Sequence, residues 1–289
     1  MSSRLTDVKH AIALYACAVM LLLGACGNTQ TAQPRTTVEP EPITHEHTPG
    51  DTSASESPQS KPDESDSTDK PDNSLDGAVI ALDPGHNGGN ASNPSRVNKQ
   101  VPDGRGGTKA CNTTGTATND GFPEHEFNWN VATKVRDELE KRGARVIMSR
   151  DSDDGVGPCV DERGQFADEA DFLVSIHANG STDSSIRGFG VIVAPDENVE
   201  ESTKLAKAIV RGFKDHNFPI NRAGYGKDGL VERTDLAGLN HASVPAVIVE
   251  CGEMRNPEEA ERMQKDPDAY ARALIDGIDA FASYATMGL

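Results

Sequence analysis

From residue 77 onward, apolar positions along the chain alternate between two rhythms. Short continuous apolar runs lie at 78–82, 145–148, 172–176, 189–193 and 246–249, each bounded by polar or turn-forming residues. Runs of this length read as buried strands. The first stops on Asp83-Pro84-Gly85, a turn signal. Between the runs the spacing changes to that of a helix. Phe127, Val131, Val135 and Leu139 recur every four residues across 124–142, and Gly143 follows as a stop. Similar patterns predict helices over 161–170 and 199–218, and one or two closing helices over 257–285. Strands that are apolar throughout and separated by helices predict an α/β sheet covered on both faces. The segment 77–289 is long enough for one such domain, and it contains no internal repeat.

The first 76 residues show neither rhythm. Residues 1–25 carry Arg4 and Lys9 ahead of an apolar run at 11–23 that is short for a bilayer span. This is the layout of an export signal. It closes on Leu23-Gly24-Ala25-Cys26, which resembles the lipobox of bacterial lipoproteins, so Cys26 is the expected lipid anchor. Residues 26–76 are rich in Pro, Ser, Thr, Asp and Glu, with almost no large apolar side chain. Such a segment cannot offset the entropy of folding. Eleven acidic against three basic residues from 27 to 76 favour an extended tether. The expected layout is therefore signal 1–25, linker 26–76 and folded domain 77–289. The expected location is outside the cytoplasm, lipid-anchored to the cell membrane and facing the wall.

Charge and cysteines narrow the picture further. A net charge of −18, with no basic stripe, argues against nucleic acid as a partner. Nothing in the sequence suggests more than a monomer. Of five cysteines, Cys17 falls in the signal and Cys26 at the lipobox. Cys111 and Cys159 both lie in loop-like sequence and are paired here, while Cys251 ends an apolar strand and reads as a buried free thiol. Three cysteines still allow three pairings.

Four residues then stand where loops and strand ends of an α/β sheet converge. His86 follows the first strand, His177 follows the 172–176 strand, Glu250 ends the 246–249 strand, and Glu124 opens a helix. Two imidazoles and a carboxylate are a usual set for catalytic zinc, and a further carboxylate can serve as proton carrier. Taken singly, each has a plainer reading. A histidine after a strand is commonly structural, and a glutamate at a helix start favours the helix dipole. Gly88-Gly89 and Gly106-Gly107 lack the spacing of a phosphate-binding loop.

The blocks carrying these residues form a familiar series. Ile80-Ala81-Leu82-Asp83-Pro84-Gly85-His86-Asn87-Gly88-Gly89 resembles the opening motif of the zinc-dependent N-acetylmuramoyl-L-alanine amidases of the type-3 family. Pro123-Glu124-His125-Glu126-Phe127-Asn128, Ser175-Ile176-His177-Ala178-Asn179 and Pro245-Ala246-Val247-Ile248-Val249-Glu250-Cys251-Gly252 follow in the same order. Ser149-Arg150-Asp151 and Asp161-Glu162-Arg163 agree as well. The resemblance covers essentially 77–285. It implies a mixed, mostly parallel sheet flanked by helices, zinc (Zn2+) held by His86, Glu124 and His177, and Glu250 as catalytic glutamate. Glu124 is preferred to Glu126 by its placement ahead of Asn128, and His125 is a minor competitor for metal. The resemblance also implies that Cys111 and Cys159 are bridged, as in a compact actinobacterial form, and that peptidoglycan is the substrate. No insertion between His177 and Gly188 resembles the inhibitory helix of some members, so an uncovered site is expected. Arg233, Asp235 and Asn240 are candidate substrate-groove residues, with a salt-bridged loop as the plainer alternative. Two other functions fit the same residues, a non-catalytic wall-binding lipoprotein and a zinc peptidase acting within the stem peptide.

Overall fold

The computed structural model describes residues 74–286. The expected signal, Cys26 and nearly all of the expected linker lie outside the described residues. Leu75, placed in the linker by its neighbours' composition, is buried in the main core, and its N–H donates to the carbonyl of Arg142 at 2.9 Å.

In chain order the elements are β1 (Val79–Pro84), α1 (Pro94–Val97), β2 (Gln100–Pro102), β3 (Thr108–Ala110), α2 (Glu124–Lys141), β4 (Arg145–Met148), α3 (Glu162–Gln165) and β5 (Phe172–Asn179). There follow β6 (Gly190–Val193), α4 (Val199–Asp215), α5 (Arg222–Tyr225), β7 (Leu230–Glu232), α6 (Ala237–Asn240), β8 (Ala246–Glu253), α7 (Pro257–Lys265) and α8 (Pro267–Thr286). Six strands form one sheet in the order β4-β1-β5-β8-β6-β7. Every neighbouring pair is parallel except β6 and β8, giving the mixed, mostly parallel sheet expected.

The strand period of two sorts the side chains between two unequal faces. Val174, Ile176 and Ala178 of β5, with Val247 and Val249 of β8, pack against Phe127, Val131 and Leu139 of α2, Leu205 and Ile209 of α4, and Leu274 and Ile278 of α8. This is the main core, and all the long amphipathic helices cover it. The opposite parity, Leu173 and Ile248, packs with Ala81, Ile192, Tyr225 and Leu239 under single-turn helices and loops. The thinner face leaves room at its C-terminal edge, and His177 and Glu250 share its parity with Leu173 and Ile248.

Three expectations need correction. The predicted helix at 161–170 is helical only over Glu162–Gln165. Gly164 weakens it and is required there, because a Cβ would sit 2.4 Å from the carbonyl oxygen of Gly238. Turns with shorter hydrogen bonds, such as Ala170 N–H to Ala167 O, complete the segment. The strands at 172–176 and 246–249 run on to Asn179 and Glu253, so His177 and Glu250 lie within strands and face each other in register. Their polar side chains face the cleft, which ended the apolar runs early. Finally, the loop-like sequence before Cys111 contains the β2–β3 hairpin, and β7 lies outside the expected strands; each of these strands has only three residues, too few for a pattern.

Cys111 and Cys159 form a disulfide, and Cys251 is free and buried, as expected. Among the described residues, no helix is long and apolar enough to cross a membrane.

Candidate metal centre

The site begins with the turn after β1. Asp83 is 3% exposed, and its carboxylate accepts from the guanidinium of Arg163 and from the hydroxyls of Ser149 and Ser175. Burial alone would raise its pKa, but the charge of Arg163 and the two hydroxyl donors hold it below the ordinary carboxylate range. Arg163 also donates to Pro84 O at 3.0 Å, His86 O at 2.8 Å and Asn87 Oδ1 at 2.7 Å. Arg150 donates to Pro84 O and to the carbonyl of His125. Two buried arginines thus fasten the backbone of the turn.

That fastening carries a cost at His86, whose φ of 61° is unusual for a residue other than glycine. Such backbone persists where surrounding contacts over-determine it. The His86 ring is oriented by Thr113, whose carbonyl and hydroxyl oxygens both lie 3.2 Å from Nδ1. With Nδ1 occupied in this way, Nε2 is turned inward, 3.2 Å from Glu124 Oε1. The same carboxylate oxygen lies 3.1 Å from His177 Nδ1. The two imidazoles meet edge to face at 4.9 Å. Gly85 permits this approach, since a Cβ there would fall 2.1 Å from the His177 ring.

Glu124 opens α2 and is buried, whereas Glu126 is exposed. Its Oε2 accepts from Thr116 N–H at 2.9 Å and its Oε1 from Ala178 N–H at 3.1 Å. Burial would raise its pKa, but the charge of His86 and hydrogen bonds from His177 and His86 outweigh burial and hold it well below the usual range. One donor atom from each of His86, Glu124 and His177 lies within 4.8 Å of the others, the spacing of a possible metal site. His125 instead pairs with Asp153, 2.8 Å from Nδ1 to Oδ2, and so stands apart from this group.

Glu250 completes the arrangement from the neighbouring strand. Burial pushes its pKa well above the carboxylate range, and the charges of Glu124 and Glu253 add to this, offset in part by Arg233. Its Oε2 is buried and without a hydrogen-bond partner. Two carboxylates in one cleft, Glu124 buried and Glu250 half-buried with an orphaned inner oxygen, suit a site completed by a cation. All four residues line one open cleft of about 620 Å³.

The expected groove residues lie farther out. Arg233 and Asp235 form an exposed bidentate pair, with nitrogen–oxygen distances of 2.9 and 2.7 Å. Arg233 borders a separate hollow with Tyr225 and Glu253, and neither it nor Asp235 lines the cleft. Asn240 clamps the β2–β3 hairpin, donating to Asp103 O and accepting from Arg105. Sequence reasoning missed Thr113 and the structural part played by Asp83, Arg150 and Arg163. A charged residue inside the apolar first strand was the available signal for Asp83.

Two imidazoles and two carboxylates at the C-terminal edge of a mostly parallel sheet, open to solvent, define a candidate metallohydrolase of the α/β class. The chain belongs to the N-acetylmuramoyl-L-alanine amidase family Amidase_3, whose model matches residues 80–280. It is 41% identical over 221 residues to the N-acetylmuramoyl-L-alanine amidase Rv3717 of Mycobacterium tuberculosis, covering 73% of this chain and 88% of that protein. The crystal structure of the N-acetylmuramyl-L-alanine amidase Ami1 from Mycobacterium smegmatis matches with a TM-score of 0.69 at 40% identity, covering 73% of this chain and 99% of Ami1. Apo Ami1 from Mycobacterium abscessus matches with a TM-score of 0.67 at 40% identity, over 72% of this chain and 99% of its own.

Proposed function

We propose that this chain is a peptidoglycan hydrolase that cleaves the amide between N-acetylmuramic acid and L-alanine, with zinc held by His86, Glu124 and His177 and with Glu250 as proton carrier. Family membership and the named relatives support the reaction. The observation that carries the site is the single cleft shared by the three donors and the orphaned Glu250 oxygen.

When bound, the ion supplies Lewis-acid polarisation of the amide carbonyl and lowers the pKa of water toward about 7. The rest falls to the chain. Thr113 holds His86 Nδ1, leaving Nε2 free to ligate. The amides of Thr116 and Ala178 orient the Glu124 carboxylate, which His86 and His177 hold ionised. With a cation offsetting the burial and the Glu124 charge that raise its pKa, Glu250, in register beside His177, would be ionised, take a proton from the attacking water and pass it to the departing nitrogen. A carbon–oxygen bond forms, the carbon–nitrogen bond breaks, and L-alanine leaves with a free amine.

Action outside the cytoplasm follows from a wall substrate. The tether through Cys26 rests on the Leu23-Gly24-Ala25-Cys26 pattern and forms part of this proposal. The deciding experiment is digestion of purified peptidoglycan by the zinc-loaded wild type and by Glu250→Gln, with mass spectrometry of the released ends. Intact stem peptides beginning with L-alanine are expected from the wild type. The variant should lose at least a hundredfold in rate, within the usual range for a general acid–base group, while its zinc content stays unchanged. Shorter peptides would mark a stem peptidase, no release a binding protein, and an active Glu250→Gln would remove Glu250 from the mechanism.

A further inference from the structure

The cleft that holds the candidate metal centre is acidic at its floor, where Glu124 and Glu250 lie, and the chain as a whole carries a net charge of −18. A cation on His86, Glu124 and His177 offsets the floor, and the carboxylates that a stem peptide carries along its length need a positive partner at the rim. Among the residues lining the cleft, Arg255 is the one lysine or arginine. It is exposed, and among the described residues no ion pair or hydrogen bond engages its guanidinium. Arg233 differs, because Asp235 already takes it in bidentate fashion outside the cleft.

The backbone presenting Arg255 is held on both sides. Met254 N–H donates to Asn179 O at 2.8 Å, so the turn after β8 is tied to the end of the strand that carries His177. The Asn119 side chain donates to Arg255 O at 3.3 Å. Asn256 donates to Ser184 O at 2.9 Å and caps α7 through the N–H groups of Glu258 and Glu259. A charge on a fixed turn loses less entropy on binding than one on a loose loop. Arginine also presents a planar fork suited to a carboxylate.

From this fixed, uncompensated cation at the cleft, we infer that Arg255 is a specificity residue that receives a free carboxylate of the stem peptide, so that the enzyme prefers unamidated over amidated stems. The inference rests on the amidase reading. Its test uses zinc-loaded protein and two muramoyl-tripeptides, one with free carboxylates and one with every carboxyl converted to the amide. At low ionic strength the wild type should cleave the free form with a kcat/KM roughly twofold to fivefold higher, carried by KM, as expected for a solvent-exposed ion pair. The preference should shrink in about 0.5 M salt, where charges are screened within a few ångströms. R255Q should bring the ratio close to one, and R255K should keep part of it. Equal cleavage of both substrates by the wild type, or an undiminished preference in R255Q, overturns the inference alone. Cleavage of neither substrate by the wild type overturns the amidase reading and the inference with it.

Discussion

Replacing Asp83 by asparagine should destabilise the fold by about 3 kcal/mol, chiefly by leaving Arg163 buried without its counter-charge. The side chains of Asp83 and Arg163 are 4% and 5% exposed. Removing one partner of a buried pair costs about 3–5 kcal/mol, because the survivor keeps its desolvation penalty. Asparagine preserves the shape, and the Ser149 and Ser175 hydroxyls can rotate to meet it. Arg163 also retains Pro84 O, His86 O and Asn87 Oδ1. Those retained bonds put the expected loss at the lower end of the range. Urea unfolding of both proteins at pH 7, with the disulfide intact, measures it. The pH dependence supplies a second check. The Asp83 pKa is lowered in the folded chain, so its contribution is fully present above the unfolded value of about 4 and is lost as pH falls through the folded value. The gap between wild type and variant should therefore narrow in acid. A loss under about 1 kcal/mol at pH 7 would refute the claim that this pair anchors the turn.

Gly85→Ala would place a Cβ against the His177 ring, so zinc binding followed by competition with a chromogenic chelator should weaken at least tenfold, with far-ultraviolet circular dichroism unchanged; wild-type affinity would show that the ring can shift freely. Replacing Cys111 and Cys159 together by serine opens a link spanning 48 residues, which chain-entropy arguments value at about 4 kcal/mol. Denaturant unfolding measures that loss, and equal stability of the two forms would mean that the loops are held by their other hydrogen bonds. Asn240→Ala should leave the rate of stem-peptide release within about twofold while loosening the β2–β3 hairpin, since its bonds run to Asp103 and Thr234 rather than into the cleft. Such outward-facing contacts are worth about 1 kcal/mol, and hydrogen exchange at residues 100–110 reports them.

What could be read from the sequence follows the range of the forces involved. Long apolar runs and the four-residue spacing of α2 report local burial, and these elements appeared where periodicity placed them. The three-residue strands β2, β3 and β7 bury too little for any pattern, and only their neighbours define them. The four candidate site residues were legible as positions near strand and helix ends, because parallel sheets bring those ends together, although His177 and Glu250 lie within strands that run further. Their roles were not legible from position, since chemistry at the cleft depends on which oxygen lacks a donor and which ring nitrogen is already engaged.

The case of the arginines shows the same limit from the other side. Arg163 falls in a segment the sequence predicts as helix and Arg233 in one that reads as a loop, yet one is buried beneath the His86 turn and the other is neutralised by a neighbour two residues away. Arg255 lies just beyond β8, a few residues after Glu250, and its sequence neighbours mark no function. Its isolation comes from residues distant in the chain, Asn119 and Asn179, which hold the turn at the cleft while offering the guanidinium no acid. A charge left unpaired on a rigid backbone is costly to maintain only where it is buried; at an exposed rim it costs little and remains available to an incoming anion. For that reason the buried cations here are best tested through stability and the exposed one through substrate preference.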